Sequence, residues 1–423
     1  MIGEKIYDLC KELFPINRSL TGDGVRKTLN ILKKELPDLE IHEVPTGTKC
    51  FDWTIPKEWN CKEAYIMDPD GNKICDITVN NLHLMGYSIP INKVLNLDEL
   101  NNHLYSLPEF PEAIPYITSY YKERWGFCIS EKQRRTLKDG EYKVYINSIL
   151  KDGSLTYGEL LIKGKTTEEI FLSTYICHPS MGNNELSGPT VTTYLAKYIE
   201  LLKNKRYSYR IIFIPETIGS IMYLSKYLDI MKKNIQAGFV LTCIGDNNAY
   251  SFLPSRNGNT LADKVSRHVL KHHVHDYKEY SFLDDRGSDE RQYCAPGIDL
   301  AVCSIMRTKY GEYKEYHTSL DNLDYISPDG LNGAYEIYVK VIETLENNIS
   351  YKVNVLGEPQ LGKRGLYPTI STKETKSIVK DMMNVLTYCD GKLSLLDIAE
   401  KMHVSIWELY DIVDNLVKEK LLV

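Results

Sequence analysis

A histidine that ends a buried strand, followed by a carboxylate that opens the next helix, is a pairing that divalent metals take up. The chain carries one in Ser173-Thr-Tyr-Ile-Cys-His178-Pro-Ser-Met-Gly-Asn-Asn184-Glu185-Leu-Ser-Gly188. A second histidine, His317, stands in Glu315-Tyr-His-Thr-Ser-Leu-Asp321, and a second glutamate, Glu216, follows Ile211-Ile-Phe-Ile-Pro215. Imidazole and carboxylate both suit zinc, and a catalytic zinc site needs three protein ligands and one open position. Two histidines and at least one glutamate, with a further glutamate beside them, would hold such an ion and work a water molecule next to it. Taken singly, a histidine after a strand is more often a hydrogen-bonded loop residue. The His-Pro turn, the Asn-Asn-Glu-x-Ser-Gly helix start and the second histidine before Thr-Ser-Leu-Asp favour a shared role.

The elements that must position these residues read as alternating strands and helices. Ile170 to Cys177 is an apolar, β-branched and aromatic run, the pattern of a strand buried on both faces, so His178 falls at its carboxyl tip. Asn183 and Asn184 are good helix caps, and Glu185 begins a stretch through Leu186, Val191, Tyr194, Leu195 and Ile199 that predicts an amphipathic helix. Arg210 to Pro215 delivers Glu216, with a helix from Thr217. Gly238 to Ile244 ends near Asp246, and Ile298 to Ile305 precedes the loop of His317. Ligands of open α/β sheets bind at the carboxyl ends of the strands, so one edge collects these residues.

Asp289, Glu290 and Arg291 precede that last segment, where they could orient His317 or hold a charged end of a substrate. Arginine favours a carboxylate there, aspartate or glutamate an amine. They equally fit a solvated turn shared with Asp284, Asp285 and Arg286. His268, His272, His273 and His275 recur at helical spacing and read as a solvated helix face, since neither a strand end nor a buried carboxylate supports a metal there.

The order of His178, Asn-Asn-Glu-x-Ser-Gly, Pro-Glu216-x-x-Gly-Ser, Gly287-Ser-Asp-Glu-Arg-Gln-Tyr293 and Tyr316-His-Thr-x-x-Asp321 resembles the M28-type zinc aminopeptidases. The whole chain is similar to a bacterial aminopeptidase-like family, DUF4910- and DUF2172-like, that carries a β-rich insertion and a C-terminal winged helix. Phe14 to Gly22, Ile114 to Tyr121 with Trp125-Gly-Phe, and Gly362 to Pro368 carry that likeness. The resemblance implies two zinc ions bridged by an aspartate, but the bridging position holds Asn184, an amide and a poor bridge. The paired glutamates of the M28 pattern become Glu216-Thr217, and the aspartate due near Thr242 comes four residues late, at Asp246. The expectation is therefore one zinc ion on His178, Glu185 and His317, with Glu216 as general base to a water acidified toward pKa ~7. This set is similar to that of mononuclear zinc carboxypeptidases.

At 423 residues the chain is long enough for two or three domains. With 43% hydrophobic and 26% charged residues it has an ordinary globular composition, and a net charge of −6 gives no general attraction to nucleic acid or acidic membranes. The start lacks a basic-then-apolar signal and no long apolar span occurs, so a cytoplasmic location is expected. The ten cysteines lack CxxC spacing and read as reduced core residues.

The expected fold is α/β, a mixed-sheet peptidase-like core built from residues 1–40 and 131–356. A β-rich insertion, 41–130, holds Trp53, Trp59 and Trp125 and could wall the site. Its Tyr116, Tyr120 and Tyr121 fit substrate contact, and fit a packed β core better. Gly357 to Thr369 reads as a linker, and 370–423 as three amphipathic helices in a winged helix-turn-helix. The third of these sets Glu408, Asp411 and Asp414 against Lys418 and Lys420. A packing or protein-interaction module is thus expected, with oligomer contacts open to it, rather than a reader of DNA.

The preferred function is a zinc-dependent hydrolase cleaving an amide bond near the free amino terminus of a small or peptide substrate. The alternatives are a metal- or ligand-binding protein on a peptidase scaffold that has lost hydrolysis and, resting on the C-terminal helices alone, a DNA-binding regulator.

Overall fold

Glu169 to Tyr175 forms a strand with every residue buried, and the rest of the catalytic sheet is laid out around it. The computed structural model describes residues 2–274, 276–366 and 373–423. Among these, the main sheet contains β1 (Glu40–Pro45), β2 (Ser154–Ile162), β3 (Glu169–Tyr175), β4 (Ser208–Ile214), β5 (Ile235–Val240), β6 (Ser251–Leu253), β7 (Lys278–Glu279) and β8 (Val302–Met306). Their order is β1-β2-β4-β3-β5-β8-β6-β7. Strands β4, β3, β5 and β8 run parallel, whereas β2 pairs antiparallel with β1 and β4, and β6 pairs antiparallel with β8 and parallel with β7. Parallel strands buried on both faces explain why these segments are continuous apolar runs without alternation. Their carboxyl ends share one edge, which is where His178, Glu216 and the 307–321 loop emerge.

Four helices support that edge: α1 (Ile2–Leu13), α2 (Asp23–Glu35), α3 (Ser187–Leu201) and α4 (Ile218–Asn234). Helix α1 packs on α3 and α2 packs on β2, as expected for an outer layer. Gly188, in the first turn of α3, sits so close to the strand tips that a Cβ there would lie 2.3 Å from Leu241 O and 2.4 Å from Thr174 Oγ1. The Ser-Gly pair of the motif is thus a packing requirement that brings Glu185 up to the sheet. Near the amino ends of β3 and β4, Arg210 is buried in a network, its Nε donating to Glu169 (2.6 Å) and its Nη1 to Glu159 (2.8 Å) and Tyr223 (2.7 Å).

The inserted sheet has different limits from those expected. The strand Glu40–Pro45, of which residues 41–45 were placed in the insertion by sequence, pairs with Ser154–Ile162 in the main sheet. Glu141–Lys151, placed in the catalytic core, pairs with Glu58–Met67 and Ile91–Asn96. The reason lies in burial. Tyr142, Val144 and Ile146 alternate inward to a core containing Trp59, Ile66, Trp125 and Phe127, and a composition shift does not reveal which sheet a strand joins.

The chain divides into two compact units, residues 1–263 with 278–336, and 264–277 with 337–423. The second is larger than the expected 370–423. It holds the helices Lys373–Tyr388, Leu395–Met402 and Tyr410–Lys418 with the 3₁₀ turn Ile406–Leu409. Extended segments complete the wing, with Val353 N donating to Cys389 O (2.8 Å) and Lys352 N to Val423 O (2.9 Å).

His268 also lies in this second unit, and here the expectation of a solvated face fails. Its side chain is buried, because Glu400 and the amide of Ile406 give it partners that helical spacing alone does not reveal. His273 is exposed and His272 half-buried; His275, and residues 367–369 of the expected linker, lie outside the described residues. None of the ten cysteines is in a disulfide, and nine are buried. No helix among the described residues is long and apolar enough to cross a membrane.

Candidate active site

His178 leaves the tip of β3 with its ring fixed from behind. Its Nδ1 meets Glu185 Oε2 at 2.8 Å, and Glu185 Oε1 lies 3.6 Å from the buried guanidinium of Arg18. Arg18 Nε also donates to His178 O (3.0 Å) and its Nη1 to Leu13 O (2.7 Å), so one arginine ties backbone and carboxylate together. Asp321 secures the turn that carries Glu185, accepting from the amides of Asn183 (2.6 Å) and Asn184 (2.9 Å). With Nδ1 engaged, Nε2 is the nitrogen turned to Glu216, whose Oε2 lies 3.7 Å away.

Glu216 sits on a strained turn. Thr217, the next residue, has φ 62, a left-handed conformation that a β-branched residue adopts only when its surroundings impose it. Asp289 Oδ1 imposes it, accepting from Thr217 N (2.8 Å) and Ser220 Oγ (2.8 Å). Ser288 Oγ donates to Glu216 Oε1 (3.0 Å), leaving Oε2 toward His178. Burial, reinforced by the neighbouring Asp289 charge, pushes the Glu216 carboxyl up to about 8.

His317 faces His178 with ring centroids 5.5 Å apart. Its own φ is 56, and the insertion holds it there: Tyr116 N donates to His317 O (2.9 Å), and Pro115 bridges Thr318. The Tyr116 ring packs against both imidazoles, at 5.1 and 5.3 Å. Burial holds both histidines far below their usual range, to about 3, with Arg18 adding to the effect at His178 and His178 adding to it at His317. Both rings are therefore neutral near pH 7.

These three side chains line a cavity of about 420 Å³ whose wall includes Trp53, Tyr116 and Arg291. Two neutral imidazoles facing each other are donors that zinc accepts, and the Glu216 carboxylate stands beside them, so the residues fit a metal. Tyr120 and Tyr121 line the same cavity, and Tyr120 also packs against the β core that the sequence favoured for it.

The structure brings His178, His317 and Glu216 together and gives the other candidates different partners. Glu185 backs His178 at Nδ1 without lining the cavity, while Cys177, whose Sγ lies 3.5 Å from the same nitrogen, is part of the cavity wall. Asn184 donates to Tyr175 OH (2.8 Å), and Asp246 is taken up by Thr308 and Asn248, so neither lines the cavity. Of the charged trio, Asp289 and Glu290 are buried and Arg291 lines the cavity. Sequence reasoning gave Arg18 no role. Its signal was its place in the Phe14-to-Gly22 stretch, the connection between α1 and α2 that carries the family likeness.

The family described as a domain of unknown function, DUF4910, matches residues 7–348, and a winged helix-turn-helix family matches 349–423. A Clostridium acetobutylicum protein described as a candidate polysaccharide biosynthesis protein with an aminopeptidase-like domain is 49% identical over 422 residues, 99% of this chain and 96% of that one. The crystal structure of a candidate peptidase from Clostridium acetobutylicum is 48% identical with TM-score 0.94, covering 100% of this chain and 96% of the other. A zinc aminopeptidase from Bacillus subtilis, 13% identical, superposes with TM-score 0.57 over 81% of this chain and 94% of its own, a likeness of fold.

Proposed function

The chain belongs to the DUF4910 family, and from that premise we propose that it is a metal-dependent hydrolase of amide bonds, built on an aminopeptidase-like fold and using a single ion. The observation that carries this reading is the convergence of His178 Nε2, the His317 ring and Glu216 on one cavity. His178 and His317 would hold the ion, with Glu185 fixing His178 as its ligand nitrogen is presented. When bound, zinc would supply a Lewis acid for the scissile carbonyl and acidify a water.

The remaining work falls to the chain. Glu216 Oε2 takes the proton of the attacking water and delivers it to the leaving nitrogen, while Ser288 holds Oε1 in place. Asp289 keeps the Thr217 turn, and hence the Glu216 carboxylate, in register. Tyr116 and the insertion shield the two imidazoles from water. A single ion is favoured because Asn184 and Asp246, at or near the positions where a second would be bound, are spent on other partners.

Glu216→Gln tests the reading. Turnover of an amide substrate should fall by about 10²–10⁴ with zinc retained. Loss of zinc would make Glu216 a ligand, and unchanged turnover would leave a binding protein on a peptidase scaffold. We assign the winged helix to protein contacts, since Asp411 and Asp414 oppose Lys418 on its third helix, with Lys420 just beyond its end. Tight sequence-selective DNA binding by the full chain at low salt would overturn that.

A further inference from the structure

The cavity offers a cation where an enzyme acting on a free amino terminus needs an anion. Among the described residues Glu216 is the one carboxylate that lines it, and that group faces His178 Nε2. Asp289 and Glu290, the acids that would otherwise receive an ammonium group, are buried and do not line the cavity; one oxygen of each takes protein donors, and Asp289 Oδ2 and Glu290 Oε2 take none. Asp289 serves Thr217 N and Ser220, as above. Glu290 Oε1 accepts from Gly287 N (2.8 Å), Ser288 N (3.0 Å) and Tyr310 OH (2.7 Å).

Arg291 is disposed differently. It is exposed, it lines the cavity, and its Nη2 donates to Thr217 Oγ1 (3.0 Å), the residue next to Glu216. A guanidinium carries five N–H donors in a planar fork, so one such bond leaves most of the fork available for a carboxylate or phosphate. Trp53 and Tyr121, with ring centroids 6.4 Å apart, add a flat apolar surface on the same cavity.

We infer that the substrate is an N-acyl compound carrying an anionic group, and that Arg291 is the residue that selects it. This deepens the hydrolase reading and rests on it for the chemistry. Hydrolysis breaks the amide C–N bond, the acyl carbon gains the hydroxyl of water, and Glu216 passes the remaining proton to nitrogen, releasing an acid and an amine. The anion can belong to an acylated amino acid or to an acylated amino sugar. Arg291 recognises the shared charge in either case.

The experiment uses the full chain loaded with zinc and measures binding by calorimetry alongside turnover. N-acetylphenylalanine is compared with N-acetylphenethylamine, which lacks the carboxylate, and N-acetylglucosamine 1-phosphate with N-acetylglucosamine. Phenylalanine p-nitroanilide is the probe with a free amino group. At least one acid should bind about tenfold or more tightly than its neutral partner, and the arm in which this occurs identifies the source of the anion.

In Arg291→Gln the ratio of acid to neutral binding should fall to near one, and Arg291→Lys should keep part of it, the charge without the fork. Equal binding of acids and neutral partners, tighter binding of the nitroanilide, no binding of either acid, or a ratio unchanged in Arg291→Gln overturns the inference. Selective binding of an acid without turnover of any probe would refute hydrolysis and leave the anion site standing.

Discussion

Two histidines in this chain make the same first contact and are left with opposite possibilities. His178 Nδ1 meets Glu185 at 2.8 Å, and His268 Nδ1 meets Glu400 at 2.5 Å. The second nitrogen separates them. His178 Nε2 is turned to the cavity and Glu216, whereas His268 Nε2 accepts the backbone amide of Ile406 at 2.9 Å. An imidazole accepting at Nε2 must carry its proton on Nδ1 if it is neutral, so His268 donates to Glu400 and has no lone pair left for an ion. His268, His272 and Glu400 lie close enough together to resemble a metal site, as do Cys177, His178 and Glu185. Proximity of ligand atoms is therefore a weaker criterion than the account of where each nitrogen's proton goes.

The largest expected effect breaks the comparison outright. His178→Ala should reduce zinc in the purified full chain to background, whereas His268→Ala should leave zinc stoichiometry unchanged and lower stability by about 2 kcal/mol, from the unpaired Ile406 amide and Glu400. Elemental analysis and thermal unfolding of the two variants, made in parallel, decide it. Zinc lost equally from both, or from neither, would remove the distinction.

A smaller effect sharpens it. If Glu185 orients His178 rather than binding the ion, Glu185→Gln keeps a hydrogen-bonding partner for Nδ1 and should weaken zinc affinity by about 10–100-fold, the range for partners behind a ligand. Competition with a chelator measures this. A complete loss of zinc, as in His178→Ala, would instead make Glu185 a ligand, as the sequence suggested.

The difference between the two histidines also marks how far the chain could be read without coordinates. Strand tips were legible, because continuous apolar runs such as Ile170 to Tyr175 become buried parallel strands and end at the cavity. His178, Glu216 and His317 followed from those tips. Arg18 did not, since its partners His178 and Glu185 lie at least 160 residues away and a buried arginine leaves no local pattern. His268 was misread for the same reason, its partners being 132 and 138 residues on. Tyr116 was ambiguous because an aromatic residue in a β-rich segment packs a core or lines a site equally well. Its bond to His317 O, across some 200 residues, decided which.

The smallest effect is a pH dependence confined to the second unit. Burial lowers the His268 pKa, and the neighbouring His272 and Lys271 push the same way while Glu400 opposes. A histidine whose folded value lies below its unfolded one, about 6.5, contributes stability that is full above 6.5 and is lost as pH falls toward the folded value. Protonation puts a hydrogen on Nε2, so the Ile406 amide loses its acceptor at the start of the helix that follows. Hydrogen exchange at Ile406, corrected for intrinsic rate, should therefore lose about 1 kcal/mol of protection between pH 7.5 and 5.5. The local amide is the necessary readout, because His178 and His317 are shifted in the same direction and would contribute to any global melting curve. In His268→Leu the protection should start lower and show no change across that interval. A wild-type Ile406 amide equally protected at both pH values would mean that His268 stays neutral throughout, or that its bond to the helix start carries no stability.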